Sequence, residues 1–89
     1  MPTLDITISN KLGLHARAAA KLTQLAGKFS SEIFISRGTQ RVNAKSIMGV
    51  MMLAAGQGTT VRLEAEGSDA DRALSEIQAL FDGKFGEEQ

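Results

Sequence analysis

Two stretches of this chain, residues 3–9 and 60–66, alternate apolar and polar side chains residue by residue. In the first, Leu4, Ile6 and Ile8 share one face while Asp5 and Thr7 share the other. In the second, Val61, Leu63 and Ala65 point one way and Arg62, Glu64 and Glu66 the other. A period of two with one apolar side is the signature of a strand buried on a single face. Such strands cannot stand alone, because their apolar face needs a second layer to cover it. With 89 residues, 43% of them hydrophobic, the chain has room for one domain, spanning 1–89, and one modest core.

The covering layer is legible as three helical segments. Residues 16–29 carry Ala18, Leu22, Leu25, Ala26 and Phe29 at helical spacing, with Gly27 and Ser30-Ser31 marking the end. Residues 46–53 predict a short helix capped by Ser46, with Ile47, Val50 and Met51 in helical register. Gly49 in its middle costs up to about 1 kcal/mol relative to alanine, so tertiary contacts must support it. The last helix starts near Ser68, expected as its N-cap, with Asp69 and Asp71 where the helix dipole favours negative charge. Its buried stripe is Ala70, Ala73, Leu74, Ile77 and Phe81, and Gly83 ends it.

Between the first two helices, residues 32–36 read as a strand. Its inward face stays open, because Ile33, Phe34 and Ile35 are consecutive. Arg37-Gly38-Thr39 reads as a hairpin turn into a short partner strand at 40–43. The order is β-α-β-β-α-β-α. The economical α+β solution is a two-layer, open-faced sandwich: a four-stranded antiparallel sheet with the three helices on one face. A later strand inserted between the first two, a split β-α-β arrangement, satisfies the right-handed connection rule. Residues 84–89 are expected to form a loose tail.

Composition excludes several functions. Ten basic and ten acidic residues cancel, which argues against the clustered positive charge of a nucleic-acid or polybasic membrane surface. Without cysteine there is no disulfide or thiolate chemistry, and with one histidine a structural zinc site is not expected. No apolar run approaches the roughly 20 residues of a membrane span, and the N-terminal residues lack a basic region before an apolar stretch. The expectation is a cytoplasmic monomer without metal or cofactor. An α+β RNA-binding module would need stacking aromatics and a basic face, and Phe34 is the only strand aromatic.

Chemistry concentrates at Gly13-Leu14-His15-Ala16-Arg17, which sets the only histidine where a loop becomes a helix. A helix start offers unpaired backbone N–H groups and about +0.5 of partial charge, an anion site in waiting. Arg17 adds a guanidinium suited to phosphate oxygens. An imidazole nitrogen is a competent nucleophile near neutral pH. His15 can therefore accept and hold a phosphoryl group; the plainer alternative is that it only caps the helix.

These five residues, followed by an alanine-rich helix, resemble the phosphorylation site of the HPr family, the histidine phosphocarriers of the bacterial phosphoenolpyruvate-dependent phosphotransferase system. Lys45-Ser46-Ile47-Met48-Gly49-Val50-Met51 resembles the family's regulatory serine region, in register with the first motif. The resemblance runs to about Phe85 and implies the family's open-faced sandwich. It implies that His15 takes a phosphoryl group on Nδ1 from phosphorylated Enzyme I and passes it to a histidine of a IIA domain. Arg17, with the main-chain N–H groups of Ala16 and Arg17, would stabilise the phosphoryl charge. Ser46, beyond its capping role, would be a regulatory site for HPr kinase/phosphorylase. Ile47, Met48 and Met51 would form part of the partner surface, and a helix this short cannot bury them together with Met52.

Two departures from the family's pattern stand out. Ala18 occupies the place where the family usually has proline, which costs some rigidity in the first turn. The tail Phe85-Gly86-Glu87-Glu88-Gln89 gives no sign of a carboxylate fixed near the site. The Ala18 and Leu80-Phe81 features also resemble the nitrogen-related branch of carriers, which act on regulators rather than sugar uptake.

Overall fold

A computed structural model of the protein describes residues 1–87. Four strands, β1 (Thr3–Thr7), β2 (Glu32–Arg37), β3 (Gln40–Asn43) and β4 (Thr60–Glu66), form one antiparallel sheet in the order β1-β4-β2-β3. The late strand β4 is thus inserted between the first two, as the connection rule requires. Its register sets Leu63 between Leu4 of β1 and Ile35 of β2. Helices α1 (Ala16–Ala26), α2 (Ile47–Met52) and α3 (Ala70–Asp82) cover one face of the sheet. The Cα radius of gyration is 11.5 Å, close to the roughly 12 Å expected of a folded chain this long.

The core lies between the layers. Ile6, Ile33, Ile35, Val61, Leu63 and Ala65 from the sheet meet Ala18, Ala19, Leu22 and Ala26 of α1, Val50 of α2, and Ala73, Ile77 and Phe81 of α3. The open question at β2 is answered by the opposite face. Phe34 turns outward, where the Arg41 guanidinium sits 3.8 Å above its ring. Arg41 also donates to Glu64 at 2.9 Å, and Arg62 to Asp5 at 2.8 Å, so the uncovered face is a polar lattice. The β2–β3 turn places Gly38 at φ 60°, the positive angle a two-residue hairpin loop of the II′ kind needs at its first position.

Three expectations change. First, α1 stops at Ala26 rather than 29, because the chain tightens into i→i−3 bonds at Lys28 and Phe29; Phe29 stays buried all the same. Second, the residue preceding α3 is Asp69, not Ser68, and its carboxylate does not cap the helix. It accepts instead from the backbone N–H groups of Ser30 (2.9 Å) and Ser31 (3.0 Å) and from both hydroxyls, tying the α3 start to the β2 entry. Third, residues 84–87 are not a loose tail. Lys84–Gly86 forms a short 3-10 turn, and Phe85 is buried edge-on against Phe81, with ring centroids 4.7 Å apart. Residues 88 and 89 lie outside the described residues.

The Asp69 cluster makes a prediction about acid. Bonds from Ser31 and Ser30 hold the Asp69 carboxyl at about 2, below its ordinary value. A carboxylate depressed by folding stabilises the native state above its unfolded pKa near 4 and loses that contribution as pH falls toward the folded value. Thermal melts of the parent should therefore lose Tm between pH 5 and 2 more steeply than melts of Asp69→Asn. Parallel curves would count against the cluster.

Candidate functional site

The loop before α1 is built to present its last residue. Gly13 takes φ 64°, and a Cβ there would lie 2.5 Å from the carbonyl oxygen of Ala55 and 2.6 Å from Cα of Gly56. Only glycine fits this close approach and this angle together. Leu14 is buried, and its N–H donates to the Ala55 carbonyl at 2.9 Å. With Leu14 pinned in the core, the following residue must sit at the surface.

That residue is His15. It is the N-cap of α1, with extended backbone (φ −71°, ψ 178°), and its carbonyl accepts the first helical bond, from Ala19 at 2.8 Å. The amides of Ala16, Arg17 and Ala18 precede that bond and have no acceptor within the helix. The ring makes no cap hydrogen bond, so the plain capping role is not the one it plays. Its side chain is 26% exposed, reachable from solvent and not sunk in the core. Ala16 and Arg17 are exposed, and with His15, Lys11, Leu12, Gly86 and Glu87 they line one open depression.

Glu87 is the residue that sequence reasoning missed. One carboxylate oxygen pairs with His15 Nε2, and the other accepts from Asn10 Nδ2 at 3.1 Å. The bond to His15 holds the Glu87 carboxyl below its ordinary value, helped by Asn10 and by the charge of Arg17. Glu87 is therefore ionised at neutral pH. The expectation of a tail with no carboxylate near the site is corrected: a side-chain carboxylate from residue 87 reaches the histidine 72 positions earlier. No local pattern in the sequence signals this approach, because it depends on the turn that the buried Phe85 anchors.

The remaining candidates sit on α2, which packs against α1. Ser46 is its N-cap, exposed, with Oγ accepting from the Gly49 N–H at 3.1 Å. Gly49 is explained by crowding, since a Cβ would meet Cβ of Val42 at 3.2 Å. Val50 faces the core, whereas Ile47, Met48, Met51 and Met52 are exposed, Met48 by 67%. The short helix thus buries one residue and offers four apolar side chains to solvent. Among the described residues no cluster of acidic residues or histidines could hold a metal ion, and no helix is long and apolar enough to cross a membrane.

A solvent-reachable histidine at a helix start, an adjacent arginine and an apolar helix nearby form a recurrent arrangement, and comparison with known proteins identifies it. The family model described as the PTS HPr component phosphorylation site matches residues 3–82. Phosphocarrier protein HPr of Cupriavidus necator is 61% identical over 83 residues, covering 93% of both chains. Phosphocarrier protein NPr of Shewanella violacea is 52% identical, covering 93% of this chain and 91% of its own. Among solved structures, HPr-C-His from Thermoanaerobacter tengcongensis superposes with a TM-score of 0.96 at 49% identity, covering both chains fully. The open-faced fold and the near-complete coverage agree with one another: this chain belongs to the HPr family, the phosphocarrier proteins of the phosphotransferase system.

Proposed function

We propose that this protein is a cytoplasmic phosphoryl relay in which His15 Nδ1 takes a phosphoryl group from phosphorylated Enzyme I and delivers it to a histidine of a IIA domain. The observation that carries the reading is the ring itself, partly exposed at the α1 start and making no cap bond. Phosphoryl transfer asks for positioning and charge stabilisation more than for covalent help from the protein. The unpaired amides of Ala16 and Arg17 and the Arg17 guanidinium supply that charge at the developing phosphate. Because the site is open to water, this stabilisation is modest, and a carrier needs it so: a group held too tightly is not passed on. The chain turns over nothing by itself and works as a stoichiometric intermediate. The test is the appearance of acid-labile phosphate on the parent and its loss in His15→Ala when Enzyme I, Mg²⁺ and phosphoenolpyruvate are present.

The downstream acceptor has a second reading. The relative named NPr favours a carrier of the nitrogen-related branch, handing its phosphoryl group to a regulator rather than to a sugar permease. The chemistry at His15 is the same in both. Competition between IIA domains of the two branches for the labelled protein decides between them.

The exposed residues Ile47, Met48 and Met51 of α2 serve as the docking face for these partners. Methionine suits a surface that meets several partners, because its flexible side chain adapts to each. Ser46 sits at the edge of this face, and HPr kinase/phosphorylase would act on it. A phosphate there adds about −1.5 to −2 charge beside the apolar patch and can still accept from the Gly49 N–H, so it alters docking without unfolding α2. Binding titrations with Enzyme I should show Met48→Asp and Ser46→Asp each weakened about tenfold or more, with unchanged melting curves. Parent-like affinity in both variants removes α2 from the interface.

A further inference from the structure

We propose that Met48, Met51 and Met52 of α2 form a reversible oxidation site, at which a hydroperoxide converts exposed thioethers to sulfoxides and so disables the docking face while the fold stays intact. The inference rests on the reading of α2 as the surface that meets Enzyme I.

The sequence concentrates the chemistry. The chain has four methionines and no cysteine, tryptophan or tyrosine, so thioether sulfur is the group a two-electron oxidant attacks first. Three of the four lie within the six residues of α2, and the other is Met1. Met48 and Met52 are one helical turn apart and therefore neighbours, with exposures of 67% and 66%; Met51, three residues from Met48, is exposed by 41%. Access for a small peroxide is thus greatest at 48 and 52 and lower at 51.

The step balances with the oxidant alone. A sulfur lone pair forms the new S–O bond with one peroxide oxygen while the O–O bond breaks. The departing oxygen keeps the electron pair of that bond and takes up the proton of the transferred hydroxyl, which leaves water when the oxidant is hydrogen peroxide. The sulfur is oxidised by two electrons and the peroxide reduced by two. Return needs a reductant that this cysteine-free chain does not carry. Two thiols of a methionine sulfoxide reductase become a disulfide, and the sulfoxide oxygen leaves as water.

The added oxygen changes the surface and not the helix. A sulfoxide is a strong acceptor with no hydrogen to donate, and in an apolar contact it loses the water that satisfies it when exposed. The ends of α2 are held by groups that contain no sulfur. Ser46 Oγ accepts from the Gly49 N–H, and the Arg37 guanidinium donates to the carbonyls of Leu53 (3.0 Å) and Ala54 (3.2 Å) just past the last turn. Val50, the residue of α2 that enters the core, is left as it was. The modification adds no charge, so it differs from phosphate on Ser46 while acting on the same face.

The experiment treats the full-length parent with hydrogen peroxide, locates the added oxygen by mass spectrometry of its peptides, and titrates Enzyme I before and after. Met48 and Met52 should oxidise before Met51, and affinity should fall about tenfold or more with an unchanged melting curve. Methionine sulfoxide reductase with dithiothreitol should restore the affinity. A variant carrying Met48→Leu, Met51→Leu and Met52→Leu is compared only with itself. Whatever its own starting affinity, peroxide should leave that affinity unchanged, although Met1 stays available to the oxidant. The single variant Met48→Leu should lose less affinity with peroxide than the parent does. Parent affinity that survives oxidation of α2, oxygen on Met1 alone, a melting curve lowered by oxidation, or a triple variant that weakens with peroxide overturns the proposal and leaves the docking reading standing. Parent-like binding by Met48→Asp removes α2 from the interface, and the role of its sulfoxides falls with it.

Discussion

His15→Ala should carry no phosphate after incubation with phosphoenolpyruvate, Mg²⁺ and Enzyme I, under conditions where the parent is fully labelled. The effect is a complete loss, because the substitution removes the atom that forms the bond and alanine offers none in its place. The fold should survive it. The ring lies near the surface, makes no cap bond and adds nothing to the core, and its loss gives up only the pair with Glu87, so circular dichroism should match that of the parent and melting should shift little. Arg17→Ala makes the internal comparison. It leaves the nucleophile and removes one exposed charge, so labelling should slow by roughly tenfold to a hundredfold, at the lower end for a group open to solvent. The ordering of total loss against partial loss is the signature of a nucleophile and its electrostatic helper. Acid-labile phosphate persisting in His15→Ala would place the acceptor elsewhere.

The parts of this molecule that a reader of the sequence can see are those whose pattern depends on one side being covered. β1, β4 and α3 declare themselves because each has a single apolar face, and Ala70, Ala73, Leu74, Ile77 and Phe81 are all buried as their spacing requires. β2 hides its orientation because three apolar residues in a row satisfy either face. The decision is made by Arg41 and Glu64 on neighbouring strands, which is a tertiary fact. The start of α3 hides for a related reason. Ser68 and Asp69 are both good caps, and what assigns Asp69 another task is the Ser30-Ser31 pair brought to it by the fold.

The candidate site divides along the same line. His15 and Arg17 stand out because a loop-to-helix junction is a local feature, readable within five residues. Glu87 does not, because its approach depends on a turn that no propensity would assign. Lys84 and Phe85 take φ 54° and 57°, a left-handed conformation uncommon for such side chains, and Gly86 follows at 80°. The turn persists because the surroundings over-determine it: Phe85 fills a place beside Phe81, and Lys21 grips its carbonyl.

Phe85→Ala is therefore the substitution with the largest expected structural cost. A fully buried phenylalanine truncated to alanine loses about 3–5 kcal/mol. Phe85 is 1% exposed and belongs to the core, so the low end of that range, about 3 kcal/mol, is the minimum loss. For a chain of 89 residues that corresponds to a fall in Tm of roughly 12–24 °C. The stability loss should come with a second effect at a distance. Without the ring to hold it, the strained turn has no reason to keep its left-handed angles, and Glu87 loses its place beside His15. The pair between His15 Nε2 and Glu87 predicts a protected Nε2–H signal in long-range ¹H–¹⁵N spectra, which should vanish in Phe85→Ala as it should in Glu87→Ala, although in the first variant Glu87 itself is unchanged. Only the phenylalanine variant should melt early. A Phe85→Leu variant, which refills most of the volume, should recover much of the Tm and the signal with it. Recovery of one without the other would show that the packing of the tail and the orientation of the histidine are separate properties, and the link between core and site argued for this turn would fail.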